Sequence, residues 1–327
     1  MRGGAVALAE RAARLEDEFD VLFASDMVSL AELAALLPAS LRALPRALYF
    51  HENQLTYPAR FESERDYQFG FTNITSALAA EHVVFNSDFH RREFLGALPA
   101  FLRRMPDCEP PPGEIARRIE AKSVVVHPGI DVEDIPAPDR AGRDGPLAIL
   151  WNHRWEFDKQ PEAFFAALEK LAVRGADFRV LVCGESFREV PEVFARARAA
   201  LGARAEHFGF VASRAAYLVL LARADIVVST AAHEFFGIAV LEACAAGCMP
   251  LLPARLSYPE LVPEALHARC VYEKDSDLVA RLAELAADPA AARGESRQWR
   301  EIAERFAWPG QAAKMDALLE EVTNSPA

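Results

Sequence analysis

An α/β chain of two Rossmann-like halves, each built on a parallel sheet, is the fold class that the order of residues predicts. Three observations carry it. Short β-rich apolar runs alternate with longer helical patterns, the signature of parallel α/β layers. The chain has 327 residues, room for two domains, and 52% of them are apolar, ample for two cores. Between the halves, Val132 to Pro146 carries prolines and glycines among charged residues and reads as a linker.

Taken in order, the chain opens Met1-Arg2-Gly3-Gly4 and enters a helix-like run, Ala5 to Glu18. Strands are expected at Asp20 to Ala24, Ala47 to His51, His82 to Asn86 and Ser123 to His127. In the second half they are expected at Leu147 to Asn152, Phe178 to Cys183, Ala205 to Phe208, Asp225 to Ser229, Met249 to Leu252 and Arg269 to Tyr272. After Asp288 the pattern is helical to near the end, with Trp308-Pro309-Gly310 breaking one helix and starting the last. The expected domains are 1–135 and 146–300, followed by a C-terminal helix over 301–327.

Composition removes several classes. No run of eighteen or more apolar residues and no charged-then-apolar leader is present, so a cytoplasmic protein is expected. The five cysteines are scattered through apolar stretches and fit reduced, buried thiols better than a disulfide framework. Cys244 and Cys248 lack the companion ligands of a metal site. A net charge of −12 argues against nonspecific coating of nucleic acid, whose affinity comes from neutralised phosphates. It leaves room for a local basic patch. The pairs Arg91-Arg92, Arg103-Arg104 and Arg117-Arg118 would serve an anionic acceptor or simply form solvated helix faces.

The most informative string is HEFFGIAVLEACAAG, in which Glu234 and Glu242 bracket seven residues. A helix from Phe236 to Ala246 is apolar on every face except at Glu242. A carboxylate there needs partners, because desolvating its charge costs several kcal/mol. Ligand hydroxyls would supply them; the bland alternative is an arginine partner, with Glu234 as an ordinary cap. Gly237 is placed in the first turn, where free backbone N–H groups and the helix dipole favour a phosphate. The five residues from Gly237 to Glu242 rise roughly 7 to 8 Å, about the reach from a diphosphate to its own ribose.

Two further strings follow strand ends, where open α/β sheets bind ligands. ALYFHENQLTYP puts His51, Glu52 and Asn53 after an apolar strand, so all three are expected to project into an interdomain cleft. A turn built on Asn53 and Pro58 is the alternative. WNHRWEFDKQP supplies Arg154 and Lys159 near a helix start, and two cations there suit a diphosphate leaving group. Asp275-Ser276-Asp277 lies far from these strings and reads as a solvated turn.

The spacing of Glu234 and Glu242 around Phe236-Gly237 resembles the family 4 glycosyltransferases of GT-B fold. HENQLTYP, with ITSALAAEHVVFNSDFHRREFL and WNHRWEFDKQP, is similar to one branch of them, the tRNA-queuosine α-mannosyltransferases. The resemblance implies two Rossmann-like domains facing a cleft, with a terminal helix crossing back to the first. Family members open with a strand and a glycine-rich loop, so the N-domain is expected to lack its first βα unit. It implies that Glu234 contacts the donor sugar, that Phe236, Gly237 and Ile238 face sugar and phosphate, and that Glu242 holds the ribose. Arg154 and Lys159 would meet the diphosphate, with Asn152 in the donor set, and Gly184 and Val211 would wrap the base with backbone groups. His51 would contact the donor sugar or steady developing positive charge, with Glu52 and Asn53 on the acceptor side. The activity implied is retaining transfer of mannose from GDP-mannose to queuosine in a tRNA anticodon, with no metal. Two readings stay open beside it: a family 4 transferase with a lipid or small-molecule acceptor, and a nucleotide-sugar-binding protein without turnover.

Overall fold

The computed structural model describes residues 3–58, 66–105, 107–108, 110–136, 140, 142–185 and 190–324. The chain divides into two compact units, Met1–His127 with Gln311–Ala327, and Pro128–Gly310.

Unit 1 carries β1 (Leu22–Ser25), β2 (Arg46–Phe50), β3 (His82–Phe85) and β4 (Ser123–Val125), all parallel and in that spatial order. Helices connect them, as parallel pairing requires. Tyr67–Ala79 starts where the Asp66 side chain accepts from the Gln68 N–H, and Asp88–Leu102 where Ser87 accepts from His90. Phe50 stacks on Phe85 at 5.1 Å, and both pack against Phe94 in the core. From the last helix, Trp308–Asn324, Leu318 and Met315 close over Tyr49, Val84 and Val126. The opening helix is shorter than expected, Gly4–Ala12, because only Ala5 and Ala9 find a buried face and the residues after it are exposed and acidic.

Unit 2 holds β5 (Leu147–Asn152), β6 (Phe178–Cys183), β7 (Ala205–Gly209), β8 (Ile226–Val228), β9 (Met249–Pro253) and β10 (Val271–Tyr272). The spatial order is β10-β9-β8-β5-β6-β7, all parallel. Every residue of β5 is buried, as expected of a central strand covered on both faces. Arg269 and Cys270, expected in the last strand, instead close a short helix, His267–Cys270. Val132 to Pro146 is not a bare linker: Val132 and Ile135 enter the core of unit 2. The buried Arg140 donates to the Leu221 and Ala246 carbonyls at 3.1 and 2.8 Å. Among the described residues no helix is long and apolar enough to cross a membrane.

Candidate active site

In unit 2 the chain runs outward from β5 to β6 and β7, then returns to pair β8 on the other side of β5. That reversal is a topological switch point, and the crevice beyond its strand ends is where such sheets bind ligands. At the end of β5 stands Asn152, with His153 to Lys159 beyond it; beyond β6 comes Gly184, and beyond β8 Ser229 to Gly237.

The loops after β5 and β8 are tied into one piece. The Thr230 hydroxyl donates to the Lys159 carbonyl at 2.9 Å, the Ala232 N–H to the Asp158 carbonyl at 2.8 Å, and Lys159 Nζ to the His233 carbonyl at 2.7 Å. Lys159 is only 6% exposed, and its ammonium also meets Asp158 at 3.1 Å and Glu234 at 3.4 Å. Next in the chain, Gln160 holds a left-handed φ of 49°, and Pro161 then starts the helix Pro161–Val173. Burial and then the Lys159 charge push His153 down to about 3 and His233 to about 4, so both imidazoles are neutral. Glu234 is half-buried, and its Oε1 accepts from the Phe236 N–H at 3.4 Å.

Gly237 does not sit in the first turn of its helix. The helix is Ile238–Ala245, and Gly237 precedes it at φ 114°, beside Tyr258 and Leu261, where a Cβ would come within 3.3 Å of both. Nor is the helix buried all round, since Ile238 is 46% exposed. Glu242 finds the partners that its position demands inside the protein. Arg214 reaches Oε1 at 2.5 Å and the Tyr217 hydroxyl donates to Oε2 at 3.1 Å. Asn152 Nδ2 donates to the same hydroxyl at 2.8 Å and to the Ala239 carbonyl at 2.8 Å. One polar chain thus joins the end of β5 to the helix after β8.

Beside it lies a cavity of about 280 Å³, walled by Cys183, Phe210, Val211 and Tyr217, with Arg154 and Glu185 also on its lining. Asn152 and His153 line it too, and Asn152 Oδ1 and His153 Nε2 are buried without a partner among the described residues. Buried orphan acceptors and donors of this kind call for a ligand or water. Gly184 lines the cavity at φ 140°, its N–H donating to the Gly209 carbonyl at 3.1 Å.

The structure therefore brings Asn152, Arg154, Gly184 and Val211 onto one cavity, and Lys159, Glu234, Phe236 and Gly237 into one pair of loops. Sequence reasoning missed Arg214 and Tyr217. They sit three apart at the start of the helix Arg214–Arg223, capped by Ser213, and that polar pair on one helix face was the available signal. Asp277 accepts from the Lys274 N–H at 3.1 Å and caps the helix Asp275–Ala287.

In unit 1, the loop after β2 is clamped by polar side chains. The Asp26 carboxylate, 2% exposed, accepts the His51 and Glu52 N–H groups at 3.3 and 3.4 Å. Asn73 accepts from the Gln54 N–H at 2.7 Å, and Asn86 donates to the His51 carbonyl at 2.8 Å. His51 is exposed and Glu52 half-buried, but Asn53 does not project outward as expected. It is fully buried, and its Oδ1 accepts from the Leu55 and Thr56 N–H groups at 3.0 Å each. This is a side-chain-capped turn, since a short amide can replace a backbone acceptor at low entropic cost.

Burial raises Asp26 from 3.8 to about 6, with the two amides opposing it. Between about pH 4 and 6 the folded chain keeps a proton that the unfolded chain releases, so stability falls as pH rises through this window. The full cost, about 3 kcal/mol from a shift of that size, is present above it. Asp26→Asn cannot titrate. Its stability relative to the native chain is expected to rise by up to about 3 kcal/mol between pH 4 and 7, measured by denaturant unfolding.

Solved structures share the fold. The fold is similar to Anabaena HepE in complex with UDP, at TM-score 0.70 and 16% identity, covering 97% of this chain and 82% of that one. It is equally similar to sucrose-phosphate synthase from Thermosynechococcus elongatus, at TM-score 0.70 and 18% identity, covering 98% and 77%. Two parallel-sheet α/β domains of this kind are the GT-B glycosyltransferase fold. Residues 138–306 match the glycosyl transferases group 1 family, and the chain belongs to it. Residues 1–130 match the family described as tRNA-queuosine alpha-mannosyltransferase N-terminal. The tRNA-queuosine alpha-mannosyltransferase of Drosophila melanogaster is 42% identical over 254 residues, 75% of this chain and 66% of that protein. A GDP-mannose-dependent alpha-(1-6)-phosphatidylinositol dimannoside mannosyltransferase of Mycobacterium tuberculosis is 30% identical over 210 residues, 62% of this chain and 53% of that protein.

Proposed function

We propose that the chain is a retaining glycosyltransferase that moves mannose from GDP-mannose to queuosine in a tRNA anticodon. The observation that carries this reading is the 42% identity to the fly enzyme, with residues 1–130 matching the tRNA-queuosine alpha-mannosyltransferase N-terminal family. The mycobacterial relative is GDP-mannose-dependent by name, which supports the donor. It acts on a lipid by name, but its lower identity, 30% against 42%, ranks that acceptor second.

On this reading unit 2 holds the donor. The base enters the cavity between Gly184 and Val211, the ribose reaches Glu242, and the diphosphate meets Arg154 and the N–H groups at the start of Ile238–Ala245. The first intrahelical bond is that of the Val240 N–H to the Gly237 carbonyl at 3.1 Å, so the two amides before it have no intrahelical acceptor, and the dipole adds positive potential. As the glycosidic bond breaks, negative charge grows on the diphosphate, and groups already aimed at it lower the barrier without reorganising. Glu234, fixed by Lys159 and the Phe236 amide, is the carboxylate available to sugar hydroxyls. The loop His51-Glu52 of unit 1 is assigned to the sugar and the acceptor. No covalent nucleophile is invoked; the proposal is front-side displacement through an ion-pair-like state. The side-chain cations carry the charge that a bound metal would otherwise meet.

The test is incubation with GDP-mannose and queuosine-containing tRNA, then mass spectrometry of the digested nucleosides. A hexose added to queuosine supports the reading, and unmodified queuosine with intact GDP-mannose binding overturns the acceptor. Glu242→Ala removes one acceptor from bound ribose and strands Arg214 and Tyr217 without their carboxylate. GDP affinity is expected to fall by about 10- to 100-fold, the range for hydrogen bonds to a charged group, as read by calorimetry.

A further inference from the structure

The cavity beyond β5 and β6 holds one charged group that finds no partner among the described residues. Arg154 and Glu185 are the charged residues on its lining, and His153 beside them is neutral. Among the described residues no hydrogen bond or ion pair reaches the Glu185 carboxylate. Its backbone, in contrast, is fixed. The Glu185 carbonyl accepts from the Trp155 N–H at 2.9 Å, and Gly184 before it is bonded to Gly209 at 3.1 Å. A half-buried acid on a fixed backbone, among Phe210, Val211 and Tyr217, is costly unless a ligand supplies donors. The orphaned Asn152 Oδ1 on the same lining, in a residue 7% exposed, points to a ligand independently.

Aromatic and aliphatic walls suit a flat ring, and a carboxylate accepts best from two parallel N–H groups. We infer that Glu185 determines base specificity, accepting the adjacent N1–H and N2–H of a guanine and disfavouring a uracil. Uracil presents a single imide N–H between two carbonyl oxygens, so one carboxylate oxygen would face a carbonyl. Hypoxanthine keeps N1–H but lacks the exocyclic amine, and it therefore offers half of the pair. This rests on the reading of unit 2 as the nucleotide-sugar unit, and it assigns the donor's base to a side chain where the family resemblance assigned only backbone groups.

The experiment is equilibrium binding of GDP, IDP and UDP to the full chain and to Glu185→Gln. The native chain is expected to bind GDP about 10- to 100-fold tighter than UDP, the range for a good bidentate base contact, with IDP between. In Glu185→Gln, which offers one acceptor and places an amine where the second oxygen was, the GDP preference over both IDP and UDP collapses to within about threefold. Its melting temperature stays at the native value, because the carboxylate has no partner among the described residues. A variant that keeps the native GDP:IDP and GDP:UDP ratios overturns the role of Glu185, as does a native chain that prefers UDP. Failure of the native chain to bind any of the three overturns the underlying assignment of the cavity instead.

Discussion

On the proposed function, replacing Lys159 with alanine is expected to lower mannosyl transfer at least ~100-fold, the scale for losing one preorganised charged group. The same change is expected to destabilise unit 2 by about 3 to 5 kcal/mol, because a buried ion pair is broken from one side. The ammonium is buried and stands between Asp158 and Glu234, at 3.1 and 3.4 Å. Without it two carboxylates share one site with no counter-charge. It also supplies the 2.7 Å bond that holds the His233 carbonyl, so the loop carrying Glu234, Phe236 and Gly237 loses its tie to the β5 loop. On the proposed function Lys159 therefore acts at least as much by positioning Glu234 as by meeting a diphosphate, which is left to the neighbouring Arg154, exposed to solvent. Lys159→Arg should not rescue, since a planar fork does not fit a site built for a compact charge donating to one carbonyl and two carboxylates. Steady-state kinetics and thermal unfolding of both variants check this. A separate reporter is the imidazoles of His153 and His233. The Lys159 charge helps hold both down, so their titrations, followed by NMR, should move up in Lys159→Ala.

What the sequence could and could not reveal follows from how far each feature depends on tertiary contact. The strands were legible because a parallel sheet covered on both faces demands continuous apolar runs, and β5, with six buried residues in a row, is the plainest case. Val132 to Pro146 was misread because proline and glycine report an irregular backbone but not whether it is buried, and Ile135 and Arg140 are both inside. Glu242 was conspicuous as a lone acid in an apolar helix, yet its partners lie 28 and 25 residues upstream on a helix that folds back beside it. No local pattern encodes that encounter. At Asn53 the residue types of the string after β2 do not separate outward-facing recognition, which was expected, from the inward-facing turn cap that is found. Asp26 escaped notice because its role is to hold two amides that lie 25 and 26 positions later.

Gly184→Ala is expected to cost several kcal/mol of stability, for a reason independent of any ligand, and on the proposed function to abolish nucleotide binding. At φ 140° the residue lies where side chains are strained, by about 1 to 3 kcal/mol. A Cβ there would also lie 2.0 Å from the His153 carbonyl oxygen. That neighbour is backbone and cannot rotate away: it immediately follows β5, whose six residues pair in register with β6, and Trp155 is bonded to Glu185 across the same gap. Relief requires β5 and β6 to part at their carboxyl ends, and those ends form the floor of the cavity. Gly175→Ala is the matched comparison, since Gly175 also has a positive φ, 76°, but faces open space with nothing within 4 Å of a Cβ. It bears the conformational term alone, about 1 kcal/mol or somewhat more, and its GDP affinity should equal that of the native chain on the proposed function. Chemical unfolding and GDP titration of the two variants separate strain of the backbone from collision with it. Equal losses in both would mean that the β5–β6 junction yields easily. A large excess in Gly184→Ala would mean that the cavity's shape is set by two strand ends that cannot separate without unfolding unit 2.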